Sequence, residues 1–183
     1  MIDPEIAACL RDAGIRSCLI GAQALARHGV VRFTADADLL VMNARVLSRD
    51  FWPPALAGAI SALRRGDGDD PLAGVVRFTT RPQVDLLVGR GEIMRAAVDN
   101  AVHDGMIGAP VATPLDLVLL KLEAGGPLDL GDIINLVEAQ REIAPGVDLV
   151  AAIDARAQAL SDWGKRAWAR VRPDIVVEAH GPG

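Results

Sequence analysis

The sequence predicts an α/β or α+β fold, with a mixed sheet flanked by helices and a helical C-terminal part. Three observations predict it. Short β-type runs bounded by Gly, Pro and Asp fall in the first half of the chain. The second half carries long apolar-periodic segments typical of helices. The composition, 51% hydrophobic and 23% charged over 183 residues, is that of an ordinary globular chain with a sizeable core. The expected division is a sheet domain over residues 1–112, a helical part over 113–172 and a loose tail over 173–183.

The elements follow in order. Asp3, Pro4 and Glu5 form a helix start: a capping carboxylate, a ring with preset φ and a charge suited to the positive dipole end. Ile6, Cys9, Leu10 and Ala13 make its apolar face, and Gly14 ends it. Residues 15–20 read as a strand, Gly21 breaks it, and residues 22–28 read as a short helix closed by Gly29. Residues 31–42 read as a second strand. Residues 44–66 read as mostly helical with a break at Pro53 and Pro54. Residues 64–74, with three Gly, three Asp and a Pro, read as a loop. Two strands follow, 75–80 and 84–88, around Arg81-Pro82. Helices are then expected over 92–100, 114–124, 127–143 and 147–170.

Composition also excludes some functions. Net charge is −5, so no broad basic surface for nucleic acid is expected. Aromatic residues are 3% of the chain, with no tyrosine, which argues against stacking of long single strands. Cys9 and Cys18 have neither metal-ligand nor disulfide spacing and read as buried free thiols. No apolar run reaches the roughly 18 residues needed to span a bilayer. The acidic N-terminus lacks the positive charge of a signal peptide. The expected compartment is the cytoplasm, with no membrane partner.

The chemistry concentrates in three carboxylates. Asp36 and Asp38 stand two apart in an otherwise apolar run, so on a strand both project from one face while Ala37 and Leu39 point the other way. Two like charges there repel unless a cation or donors sit between them. Asp85 interrupts the apolar run Val84-Asp85-Leu86-Leu87-Val88 in the same way. If the two strands pair, three carboxylates converge into a hard-oxygen set that suits Mg²⁺. The competing reading is a solvated edge strand. Upstream, Gly21-Ala22 at a strand-to-helix junction lets backbone N–H groups approach a phosphate.

These residues carry a resemblance. Ile20-Gly21-Ala22, thirteen residues and then Asp36-Ala37-Asp38-Leu39 resemble the signature of the DNA polymerase beta-type nucleotidyltransferase superfamily. The stretch IGAQALARHGVVRFTADADLLV is similar to small bacterial nucleotidyltransferases, including AbiEii-like toxins and related uncharacterised proteins. LVLLKLEAGGPLDLGDIINLV resembles the Lys-bearing helix and Asp-x-x-Asp helix of the same group. The resemblance covers about residues 15–140. One departure is Ala22, where the family has a second Gly or a Ser.

The resemblance implies a mixed-sheet nucleotidyltransferase-like fold. It implies Asp36, Asp38 and Asp85 as catalytic, metal-holding carboxylates, two Mg²⁺ ions, an NTP as substrate, and transfer of the NMP to a hydroxyl or phosphate acceptor. The acceptor class is a tRNA end, a protein or a small molecule, and a cognate toxin or antitoxin partner is a further implication. Gly21, Ala22 and Lys121 are implied as nucleotide contacts. Arg32 and Thr34 share the strand face of Asp36 and Asp38 and join them as nucleotide-binding candidates. Asp129 and Asp132, one helical turn apart, either anchor Lys121 or bind substrate; Asp129 alternatively complements its helix N-terminus. Arg27, Arg32, Arg77 and Arg81 supply a local basic rim. Ala22 supports an alternative, a non-catalytic nucleotidyltransferase-like module that binds nucleotide or a partner. His28, His103 and His180 have no ligand spacing, and Trp163 and Trp168 read as packing anchors.

Overall fold

The computed structural model describes residues 2–32, 36–105 and 108–178. Its elements run in chain order as α1 (Pro4–Asp12), β1 (Ser17–Ile20), α2 (Gly21–Arg27) and β2 (Asp36–Val41). Two 3₁₀ turns (Ala44–Leu47 and Arg49–Phe51) lead to α3 (Pro54–Ala59), β3 (Ile60–Arg65), β4 (Leu72–Phe78) and β5 (Gln83–Gly89). Then come α4 (Gly91–Asp99), β6 (Val102–Asp104), β7 (Ala109–Val111), α5 (Pro114–Ala124), α6 (Pro127–Ile143), α7 (Leu149–Arg156) and α8 (Asp162–Glu178). The chain forms two compact units: Met1–Ala24 with Arg32–Thr113, and Leu25–Val31 with Pro114–Gly183.

The first unit is built on a seven-stranded mixed sheet in the order β3-β4-β5-β2-β1-β7-β6. β2 lies at its centre, antiparallel to β1 and parallel to β5. The alternation expected of a strand is plain in the burial. Ala37, Leu39 and Val41 of β2 and Val84, Leu86 and Val88 of β5 are at most 1% exposed, whereas Asp36, Asp38 and Asp85 are half-buried. Each of the Val and Leu side chains among them contributes about 1.5–3 kcal/mol by leaving water. The buried face therefore fixes the register, because a slip of one residue would drive the aspartates into the core.

Phe78 and Trp52 continue the core with an edge-to-face pair at 4.9 Å. The Trp52 indole N–H donates to the Val46 carbonyl at 2.9 Å, so a buried donor is satisfied. At the chain start, the Asp3 carboxylate accepts from the backbone N–H groups of Glu5 and Ile6, and Ile6 and Leu10 are buried.

The second unit is helical, with α5 packed against α6, α7 and α8. Its ion network lies on α5 and α6. The Lys121 ammonium donates to Asp129 at 2.9 Å and to Asp132 at 2.7 Å, and Lys121 and Asp132 are both buried. Asp129 also accepts from the Gly126 N–H at the start of α6. Trp168 is buried and its indole donates to Asp154, which also takes a two-point hydrogen bond from Arg172. Leu25–Val31 belongs to this unit: Gln140 donates to the His28 carbonyl, and Gly29 lies against Ile143 and Ala139.

Several sequence expectations need correction. Residues 60–65 form β3, not helix, because pairing with β4 outweighs a weak helical pattern. The loop of 64–74 shortens to residues between β3 and β4. Of the strand expected over 31–42, the described part is Asp36–Val41, with residues 31 and 32 outside it. β6 and β7 lie in a segment to which the sequence assigns no element; each is three residues long, and β7 is secured by pairing to β1 about ninety positions earlier. The helix expected over 147–170 is two helices joined by a 3₁₀ turn, Ala157–Ala159. Residues 173–178, expected to be loose, continue α8 through Pro173; residues 179–183, with His180, lie outside the described residues. Cys18 is buried as expected, but Cys9 is only half-buried. Trp163 lies with its indole against Gly125 but is 52% exposed, so it packs at the surface and not in the core.

Candidate functional site

The carboxylates meet on one face of the first unit. Asp38 on β2 is the direct register partner of Asp85 on β5, and Asp85 is in turn the partner of Arg77 on β4. Residues in register share a face, so Asp38, Asp85 and Arg77 form one row across three strands. Asp36 stands two residues before Asp38 and opposite Gln83, in the next row of the same face.

The sequence places Arg77 only in a basic rim. In the structure it is the partner of the third carboxylate. Its Nε donates to Asp85 Oδ1 at 2.8 Å and its Nη2 to Oδ2 at 2.5 Å, a two-point pairing that matches the planar fork of the guanidinium. The Asp85 side chain is 14% exposed, so this pairing neutralises a largely desolvated charge. The hydrogen bonds to Asp85, and then its charge, hold the Arg77 guanidinium above its ordinary pKa; Asp36 and Asp38 add to the effect. All three carboxylates therefore act on one cation. The signal for this role was available in the sequence: with β4 and β5 as neighbours, Arg77 alternates with buried Val76 and Phe78 and must face outward like Asp85.

Gly21 closes the other side of Asp38. Its φ of +66° places it in the left-handed region, where it turns β1 into α2. A Cβ added there would lie 2.1 Å from Asp38 Oδ2. Backbone and carboxylate thus approach more closely than any side-chain-bearing residue would permit. Ala22 follows on α2 and is 9% exposed. Gln23 donates from Nε2 to the Asp36 carbonyl at 3.1 Å, tying α2 to the start of β2.

The remaining candidates separate. Arg32 is exposed, ahead of the Asp36 strand. Thr34 lies outside the described residues. Lys121, Asp129 and Asp132 form their own network in the second unit.

By donor chemistry the Asp36, Asp38 and Asp85 oxygens suit a hard divalent cation. As built, however, Asp85 is committed to Arg77. Among the described residues no group of three or more His, Cys, Asp or Glu is arranged to hold a metal ion. Asp36 and Asp38 are the hard-oxygen donors toward such a cation, and Asp85 joins them only where Arg77 yields one of its oxygens.

Beside the carboxylate row the sheet face opens into a cleft of about 290 Å³. Asp38, Asp85 and Arg77 form one end, Ala62, Val75 and Leu87 its apolar floor, and Arg64 the far end. No helix among the described residues is long and apolar enough to cross a membrane.

No family model matches the chain, and no curated protein matches it. Solved structures do. One is the solution structure of the antibiotic-resistance factor ANT(2'')-Ia, at 12% identity and TM-score 0.50, spanning 96% of this chain and 92% of that one. Another is the crystal structure of an antigenic nucleotidyltransferase-like protein from Paracoccidioides brasiliensis, at 16% identity and TM-score 0.44, spanning 86% and 90%. At such identities the likeness to the first is one of fold, and the second adds no weight. The mixed sheet flanked by helices is a nucleotidyltransferase-like fold.

Proposed function

We propose that the protein is a nucleotidyltransferase that moves an NMP from an NTP to a hydroxyl or phosphate acceptor. The observation that carries this reading is the row Asp38-Asp85 with Asp36 beside it, set against the positive-φ turn at Gly21. Backbone N–H groups at Gly21 and Ala22 would meet the phosphates; Arg32 and Thr34 as further nucleotide contacts rest on the sequence pattern alone. Asp36 and Asp38 would hold Mg²⁺, which supplies charge neutralisation for the triphosphate. The acceptor oxygen attacks the α-phosphorus, its proton passes to the Asp85 carboxylate, the bond to the β-phosphate oxygen breaks, and pyrophosphate leaves. Arg77 would hold that carboxylate in place through its two-point hydrogen bond until the acceptor arrives. Lys121 as a nucleotide contact rests on the sequence resemblance alone; two of its three ammonium N–H groups go to Asp129 and Asp132. A cognate toxin or antitoxin partner rests on the sequence resemblance alone.

The test is labelled-NTP transfer together with Mg²⁺-dependent NTP binding, on the wild type and on an Asp36→Asn/Asp38→Asn variant. NTP binding and turnover in the wild type with loss of both in the variant support the reading. A wild type that binds no NTP, or a variant that reacts equally well, ends it. A second reading, a module that binds nucleotide without turnover, is favoured by two features: Ala22 at the motif's second small position and the commitment of Asp85 to Arg77. Mg²⁺-dependent NTP binding with no transfer to any acceptor would select it.

A further inference from the structure

The cleft beside Asp85 is more than the rim of a carboxylate site, because its two ends differ in charge. Two rows of side chains cross the same sheet face. One runs Ala62, Arg77, Asp85, Asp38, and the next runs Arg64, Val75, Leu87, Leu40. Val75 and Leu87 stand side by side in the second row and Ala62 lies diagonally next to Val75 in the first, so the three make one apolar strip of the cleft lining. At the near end the Asp85 charge is already answered by Arg77. At the far end stands Arg64, exposed on the edge strand β3. Among the described residues the Arg64 side chain has neither a hydrogen bond nor an ion pair, whereas that of its neighbour Arg65 is taken up by the Leu47 carbonyl. A cation without a partner at the end of an apolar strip is a ready contact for a negative group.

We propose that this cleft is the acceptor subsite and that it takes a small, flat molecule with a hydroxyl at one end and a negative charge at the other. The hydroxyl would lie at Asp85, the ring over Ala62, Val75 and Leu87, and the anion against Arg64. A volume of about 290 Å³ suits a small molecule more than a polymer end. Calling the occupant an acceptor rests on the nucleotidyltransferase reading; the charge preference of the cleft does not.

The experiment measures binding to the full chain with neither nucleotide nor metal present, so the preference and the transfer activity stand or fall separately. The probes are 4-hydroxyphenylacetate, its neutral amide and tyramine, which differ chiefly in the charge of one end. Wild type should bind the carboxylate roughly tenfold more tightly than tyramine. Arg64→Gln should bring the carboxylate down to the level of the amide, Arg64→Lys should keep part of the preference, and Arg64→Glu should reverse it towards tyramine. Arg64 is exposed on an edge strand, so these variants should melt like the wild type. The proposal is overturned if tyramine binds as tightly as the carboxylate, since Asp38 and Asp85 would then govern the cleft. It is equally overturned if Arg64→Gln leaves the order unchanged, if no probe binds saturably at millimolar concentration, or if the RNA trinucleotide CCA binds more tightly than the small acid.

Discussion

Gly21 and Asp38 are in such close approach that the position of one dictates the side chain of the other. A Cβ at residue 21 would fall 2.1 Å from Asp38 Oδ2 and 2.9 Å from its Cγ, and φ at Gly21 is +66°. The far end of an aspartate side chain can turn away, so the steric part of a substitution moves Asp38 instead of unfolding the sheet. The backbone part costs about 1–2 kcal/mol, the left-handed penalty of a residue with a Cβ.

Gly21→Ala should therefore lower the melting temperature modestly and weaken NTP binding by much more than that loss of stability explains. Thermal melts and NTP titrations check it. In an Asp38→Ala background the same substitution should cost less, because the collision is gone; a double-mutant cycle reads that coupling.

Arg77 competes with any cation for Asp85. Arg77→Gln should free the carboxylate and raise Mn²⁺ affinity several-fold, measured by titration calorimetry. If turnover occurs, it should fall in the same variant, because Asp85 loses the partner that orients it. Unchanged Mn²⁺ affinity would mean that Asp85 takes no part in holding the ion.

Lys121 answers two carboxylates in a buried setting, with its side chain 10% exposed and that of Asp132 9%. Breaking such a network by removing the cation leaves uncompensated charge and costs about 3–5 kcal/mol. Lys121→Met should lower the melting temperature by roughly 10 °C for a chain of this size. Lys121→Met/Asp132→Asn should recover part of the loss, since one of the two orphaned charges is removed. A double variant no more stable than the single would show that Asp132 has other work.

Asp154 supplies the pH dependence. The hydrogen bonds from Arg172, with a further one from the Trp168 indole and the charge of Arg172, hold its carboxyl below the ordinary range. A depressed folded-state value contributes stability that is fully present above the unfolded value of about 3.9 and is lost as pH falls through the folded one. Asp154→Asn should accordingly lower the melting temperature by a few degrees at neutral pH. The gap to wild type should narrow once the pH drops below about 4. Parallel melts at neutral and acid pH measure it.

The sequence by itself determined that Asp36 and Asp38 share a face, because strand periodicity leaves no choice once Ala37 and Leu39 are apolar and buried. It also determined α1, α5 and α6 closely, because Pro, Asp and Gly mark their ends and caps act within a few residues. The tertiary structure decided the rest. That Asp85 stands level with Asp38 depends on the register between β2 and β5, set by two buried apolar faces meeting across more than forty residues of chain. That Arg77 answers Asp85 depends on the next register along. The strand at 60–65 and the short pair β6 and β7 were illegible for the same reason: their stability comes from partners distant in sequence, not from their own residues. Local patterns can place a carboxylate on a face; only long-range pairing decides which charges stand beside it.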